Sequence, residues 1–164
     1  MPASSIPCWR QAAMAERAFT VACVQLRCGR EAESNLQTTT ALIREAASEG
    51  ADLIITPEQT SLMELDRRSL FAKITDESED ATLAALRELA REIGRHLIVG
   101  SLALKVSDAL AVNRSLVIDP AGNIIARYDK IHMFDVDLPG GESYRESRSY
   151  RPGGEAVCVD LPWG

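Results

Sequence analysis

Apolar positions in the first two thirds of the chain follow two different spacings. Short apolar runs rich in β-branched residues predict buried strands over residues 19–26, 52–56 and 96–104. Between these runs, apolar residues recur every three or four positions, which predicts two amphipathic helices. The first begins at a cap formed by Ser34 or Asn35 and stops at Gly50, and the second covers residues 78–93 and stops at Gly94.

The last third of the chain has a different pattern of apolar runs, glycines and prolines. An apolar run over residues 111–118 and a second run ending at Tyr128 flank the turn sequence DPAG at 119–122, so they predict a hairpin. The mixed region 61–77 contains one short predicted helix near residues 67–72. Glycines and prolines predict a long loop over 138–154, and residues 156–161 predict a final short strand. The order is β-α-β-α-β followed by adjacent strands, which is a layered α/β arrangement with only two long helices for five or six strands.

Composition narrows the classes of protein that this chain could represent. Its 164 residues fit one domain with a proper core, preceded by a disordered extension over residues 1–17 and occupying residues 18–164. A net charge of −6 argues against binding nucleic acid or an anionic membrane, and no apolar run approaches the roughly 18 residues of a spanning helix. The four cysteines have neither zinc-site spacing nor disulfide density, so a cytoplasmic protein with reduced thiols is expected.

Three charged residues are candidate catalytic residues because of their positions after predicted strands or in the long loop. Glu58 directly follows the second strand, Lys130 follows the hairpin, and Glu146 lies in the long loop. Catalytic groups gather at the carboxyl ends of strands in layered α/β proteins. A carboxylate beside a lysine can act as a general base while the ammonium stabilises developing negative charge. From spacing alone, solvated surface charges remain the alternative for each.

Six short segments form an ordered set along the chain: VACVQL at 21–26, LIITPE at 53–58, NRSLVIDPAG at 113–122, YDKIHMFD at 128–135, YRES at 144–147 and RPG at 151–153. In this order they resemble the nitrilase or carbon–nitrogen hydrolase superfamily. The resemblance extends over residues 19–164. The sequence around residues 134–137 and 144–147 is most similar to the Nit branch, which includes ω-amidases and deaminated-glutathione amidases.

This resemblance implies a fold, a site and a reaction. The fold would be an α-β-β-α sandwich of the nitrilase type, present only in its N-terminal part, in a protein that forms homodimers or higher homo-oligomers. Glu58 matches the general base, Lys130 the lysine that stabilises the tetrahedral intermediate, and Glu146 a second glutamate that positions substrate and lysine. The reaction would be hydrolysis of a small linear amide through a cysteine thioester, with no metal or organic cofactor.

The nucleophilic cysteine is the departure from the family pattern. Family members place it on a strand-to-helix turn shortly after a Trp-Gly pair, and this chain reaches only Trp163 and Gly164. None of Cys8, Cys23, Cys28 and Cys158 matches that motif, so the chain by itself is expected to be inactive. A non-catalytic remnant or interaction module is the competing interpretation. Among enzymes, an N-carbamoyl amino-acid amidohydrolase or a nitrilase stays open.

Overall fold

The computed structural model describes residues 18–164, so the prediction of disorder for residues 1–17 lies outside the described residues. The strands and helices, in chain order, are β1 (Val21–Cys23), α1 (Ala32–Ser48), β2 (Leu53–Ile55), α2 (Arg67–Lys73), α3 (Ala81–Ile93), β3 (His96–Lys105), β4 (Ala111–Ile118), β5 (Ile124–Asp129), β6 (Asp135–Asp137) and β7 (Ser143–Arg145). A 3-10 turn, Glu146–Arg148, follows β7.

The first five strands form one sheet in the order β1-β2-β3-β4-β5. The pairs β1–β2 and β2–β3 are parallel, whereas β3–β4 and β4–β5 are antiparallel. β6 and β7 form a separate two-stranded sheet. Because β4 and β5 flank residues 119–122 and pair antiparallel, the hairpin predicted there is confirmed. Gly122 has the positive φ of 76° that this turn requires.

Helices α1 and α3 cover one face of the sheet. Their apolar stripes pack with inward-facing strand residues into a continuous core that includes Ile43, Leu86, Leu102 and Leu116. Helix α3 has clear end signals, since the Asp80 carboxylate accepts a hydrogen bond from its first turn and Gly94 takes the left-handed conformation at its end. No helix within residues 18–164 is long and apolar enough to cross a membrane.

A smaller apolar cluster lies on the opposite face. Ala103 belongs to it, while its strand neighbours Leu102 and Leu104 belong to the main core, because successive strand residues point to opposite faces. Helix α2 contributes Leu70, and the loop after β7 contributes Tyr150. This cluster supports the region where the candidate site residues meet.

Four predictions about secondary structure are wrong in detail. Residues 156–161 form no strand, because this segment has no ladder partner among the described strands and the chain after it packs Trp163 onto Phe19 and His96. The loop predicted over 138–154 contains β7 and the 3-10 turn, and only residues 138–142 act as the hairpin turn between β6 and β7.

The start of α1 and the extent of β1 also differ. Neither Ser34 nor Asn35 is a cap, because α1 begins at Ala32 and both lie inside it; the Asn35 side chain is buried against Gly29 and Ser61. Strand β1 is three residues long and largely exposed, since it lies at the edge of the sheet; Val21 and Cys23 are exposed and Ala22 is half-buried.

Candidate active site

The candidate site forms at the edge of the sheet where β2 and β5 end. Because β4 is antiparallel to its neighbours, β2, β3 and β5 all run in one direction, and their carboxyl ends meet at one edge. Two strands separate β2 from β5, which corresponds to about 14 Å at the usual strand spacing. Glu58 and Lys130 follow these two strands, so local chain paths must bring their side chains together.

The chain after β2 bends across β3 at Gly100. A Cβ added to Gly100 would lie 2.2 Å from the Thr56 carbonyl oxygen and 2.4 Å from the Pro57 carbonyl carbon. The ladder between β3 and β4 is irregular between Val99 and Leu102, which frees Ser101 to accept hydrogen bonds from the turn. The Ser101 hydroxyl accepts from the Gln59 N–H at 2.8 Å. This crossing carries Glu58 over β3 toward β4.

Lys130 is held by main-chain hydrogen bonds on both sides. Its N–H donates to the Asn113 carbonyl at 2.9 Å, and its own carbonyl accepts from the Gly153 N–H at 2.9 Å. Gly153 approaches so closely that a Cβ there would lie 2.2 Å from the Asp129 carbonyl oxygen. The backbone of Lys130 is therefore fixed between β4 and the returning loop.

The three predicted residues meet in one cluster. The Lys130 ammonium nitrogen lies 2.7 Å from Glu146 Oε2 and 3.3 Å from Glu58 Oε1. The Glu146 side chain is 12% exposed, that of Lys130 28%, and that of Glu58 56%. The Glu58 carboxylate therefore faces solvent, whereas the Lys130 ammonium and the Glu146 carboxylate are progressively more buried.

Glu146 is anchored at the start of the 3-10 turn. Its Oε2 accepts a hydrogen bond from the Phe134 N–H at 2.6 Å as well as from Lys130. The Glu146 N–H in turn donates to the Phe134 carbonyl at 3.2 Å. The β6–β7 hairpin therefore delivers Glu146 to the lysine.

The electrostatics keep Lys130 charged. Burial lowers the pKa of Lys130, but the hydrogen bond and charge of Glu146, together with Glu58, outweigh burial and hold the pKa above its ordinary value. Burial is the main cause that raises the pKa of Tyr150, and the nearby charges of Glu146 and Glu58 raise it further. One ammonium between two carboxylates can stabilise negative charge that develops beside it, while a carboxylate remains available to accept a proton.

The cluster opens into a cleft of about 570 Å³. Glu58, Lys130 and Glu146 lie on its wall, and Tyr150 also contributes to the lining. The apolar part of the wall includes the buried Leu70 and four exposed side chains: Met63, Leu65, Phe134 and Tyr144. A cleft of this size and mixed character fits a small molecule.

Sequence reasoning missed Asn113 as a member of this site. Its side chain is buried and donates from Nδ2 to Glu58 Oε1 at 2.6 Å and to Glu146 Oε1 at 3.5 Å. The available signal was the run of three polar residues, Asn113 to Ser115, inside a strand predicted to be buried, because a buried amide requires partners. Among residues 18–164, no cysteine lines the cleft; Cys28 instead donates to the Thr60 carbonyl at 3.3 Å.

Solved structures share this fold. The chain superposes on the NitFhit protein of Caenorhabditis elegans with a TM-score of 0.75 and 26% identity, covering 85% of this chain and 34% of that one. It superposes on the NitN amidase of Nesterenkonia sp. AN1 with a TM-score of 0.72 and 24% identity, covering 90% and 54%. The predicted fold class is thereby confirmed: this is a mixed α/β fold of the nitrilase type, of which part is present.

Comparison of sequences identifies the family. The carbon–nitrogen hydrolase profile matches residues 20–164, and the chain belongs to this family. Similar proteins include the deaminated glutathione amidase of Yersinia enterocolitica, at 36% identity over 88% of this chain, and the human ω-amidase NIT2, at 30% over 88%. The chain spans about half the length of these relatives, 51% in both cases.

Proposed function

We propose that this chain carries the acid–base part of an amidase site that hydrolyses a small linear amide. Glu58 acts as the general base, Lys130 stabilises the oxyanion, and Glu146 positions Lys130 and the substrate. The observation that carries the proposal is the contact of Lys130 with both glutamates at the edge of the cleft. Family membership supports the reaction class, and the ω-amidase and deaminated glutathione amidase relatives favour an amide of a small carboxylic acid.

The proposed reaction proceeds through a thioester. Glu58 accepts the proton of a cysteine thiol as sulfur bonds to the amide carbon, and the ammonium of Lys130 stabilises the oxyanion that forms. The C–N bond then breaks, and the carboxylic acid of Glu58 returns the proton to the leaving nitrogen. Water next attacks the thioester with Glu58 again as base, which breaks the C–S bond and releases the acid product and the thiol.

None of the cysteines at 23, 28 and 158 is proposed as the nucleophile. No cysteine among the described residues lines the cleft, and burial raises the pKa of the Cys28 thiol, which disfavours the thiolate. We therefore expect residues 1–164 alone to release no ammonia from amides. Thiol-dependent ammonia release by this chain alone would refute that expectation.

Because the chain spans about half the length of its relatives, we propose that the nucleophilic cysteine belongs to a longer form of this protein, called the full-length protein below. The test of the site uses a lysine substitution in that protein. Lys130→Ala removes the oxyanion partner and should lower kcat for ammonia release from a small ω-amide by about 100-fold or more. Lys105→Ala is the matched control, because the ion pair of Lys105 within residues 18–164 is with the exposed carboxylate of Asp108. Near-normal turnover by a folded Lys130→Ala variant, as judged by circular dichroism, would contradict the proposed role.

A further inference from the structure

Asn113 lies at the centre of the cluster but belongs to none of the roles assigned above. It is the only described residue that contacts Glu58, Lys130 and Glu146 together, through its side chain to the two carboxylates and through its carbonyl to the Lys130 N–H. Asn113 as a whole is 2% exposed. A polar side chain so deeply buried is retained only where its hydrogen bonds are satisfied.

The surroundings fix the orientation of the amide. Two carboxylates face the terminal group of Asn113, and a carboxylate can only accept hydrogen bonds. The NH2 end must therefore point at Glu58 and Glu146, since the carbonyl end would place three acceptors together. An amide nitrogen has two hydrogens, which matches one hydrogen bond to each glutamate.

We propose that Asn113 is a positioning residue that holds the two carboxylates of Glu58 and Glu146 at a fixed separation around the Lys130 ammonium. This inference deepens the proposed amidase function and rests on it. Glu58 most needs such support, because it is the most exposed of the three and, among residues 18–164, its side-chain hydrogen-bond partners are Asn113 and Lys130.

The neutrality of the amide explains why an asparagine suits this position. Glu58, Glu146 and Lys130 together carry a formal charge of −1, so one carboxylate is not neutralised by the lysine and remains able to take a proton. A lysine or arginine at position 113 would donate hydrogen bonds equally well but would neutralise that charge. An aspartate would have the shape of asparagine but would offer no donor at neutral pH and would add a third carboxylate.

The first experiment observes the bridge directly and does not need enzymatic activity. In NMR spectra of the 164-residue chain, the two side-chain amide protons of Asn113 are followed in Glu58→Gln and Glu146→Gln variants. We expect one proton to shift upfield in the first variant and the other in the second, since each loses a charge-assisted hydrogen bond. The side-chain amide of Asn35 is the internal control, because it donates to the carbonyls of Gly29 and Ser61 and should move in neither.

The second experiment measures the consequence for turnover in the full-length protein. Asn113→Asp should lower kcat by about 100-fold with KM nearly unchanged, because a misplaced base slows chemistry more than binding. Asn35→Asp makes the same chemical change at another buried asparagine and should lower stability while kcat per folded molecule stays close to wild type. Thermal unfolding of both variants separates loss of folded protein from loss of positioning.

The outcomes distinguish this proposal from the proposed function. Amide protons of Asn113 that respond to neither glutamate substitution would overturn the bridge, whatever the activity. Asn113→Asp with wild-type kcat would overturn the positioning role while leaving the amidase intact. A full-length protein that hydrolyses no amide would refute the proposed function and the positioning role in catalysis, whereas the NMR result would still decide whether the bridge exists.

Discussion

Gly100→Ala tests whether the passage of the chain after β2 across β3 positions Glu58. The added Cβ would lie 2.2 Å from the Thr56 carbonyl oxygen, whereas ordinary contact begins near 3.4 Å, so about 1.2 Å of separation must be created. The atoms that it meets are main chain and cannot rotate away. The turn that contains them is also tied to Ser101 by the N–H groups of Gln59 and Thr60.

The magnitude follows from that displacement. Overpacking in a fixed site costs about 1–3 kcal/mol, and we expect the upper end because the clash involves backbone. For a chain of 164 residues this corresponds to a decrease in melting temperature of about 6–12 °C. A shift of about 1 Å at Glu58 should also lower kcat in the full-length protein by about 100-fold.

The assay pairs urea unfolding with turnover, and Gly154→Ala provides the control. A Cβ at Gly154 meets nothing within 4 Å and the residue has no positive φ, so its substitution should change the free energy of unfolding by less than about 0.5 kcal/mol. If Gly100→Ala unfolds at the same urea concentration as Gly154→Ala, the close crossing is not a constraint and the account of how Glu58 is positioned is wrong.

Two further predictions concern stability away from the site. Asp80→Ala removes the carboxylate that accepts from the Leu83 N–H at the start of α3, and should cost about 1 kcal/mol in urea unfolding; no change would mean that the cap contributes nothing. Burial raises the pKa of Glu77, but hydrogen bonds and charges of Arg127 and Arg114 lower it by more, so its folded pKa lies below the ordinary 4.5. The resulting stability is present above the unfolded pKa and is lost as the pH falls through the folded pKa. Glu77→Gln should therefore be less stable than wild type at pH 7 by about 2 kcal/mol and lose less stability between pH 5 and 3, measured by thermal unfolding; parallel pH profiles would contradict this.

Local patterns located most elements because the sheet and its helices are built from short-range periodicity. The helices ending at Gly50 and Gly94 and the hairpin at residues 119–122 follow from spacing and turn chemistry. The segment 156–161 has the composition of a strand but forms none, since a strand requires a partner edge and composition does not specify one. Asn35 illustrates the same limit, because a good capping residue was used instead for long-range hydrogen bonds to Ser61.

For the candidate site, the sequence identified the residues but not the contacts between them. Sequence alone selected Glu58, Lys130 and Glu146, through their positions after strands and through motifs that resemble one family. It could not show that they meet, because 72 residues separate Glu58 from Lys130 and their strands are not neighbours in the sheet.

The sequence by itself determined the order of the five strands of the main sheet and the helices between them, the family, and the three charged residues of the candidate site. Only the tertiary structure decided that the chain crosses β3 at Gly100, that the β6–β7 hairpin delivers Glu146 to Lys130, and that Asn113 joins both carboxylates. Periodicity and turn residues act over a few positions and are readable in the chain. Contacts between distant segments depend instead on how the sheet, the bulge in β3 and the returning loop fit together, which is a property of the folded packing.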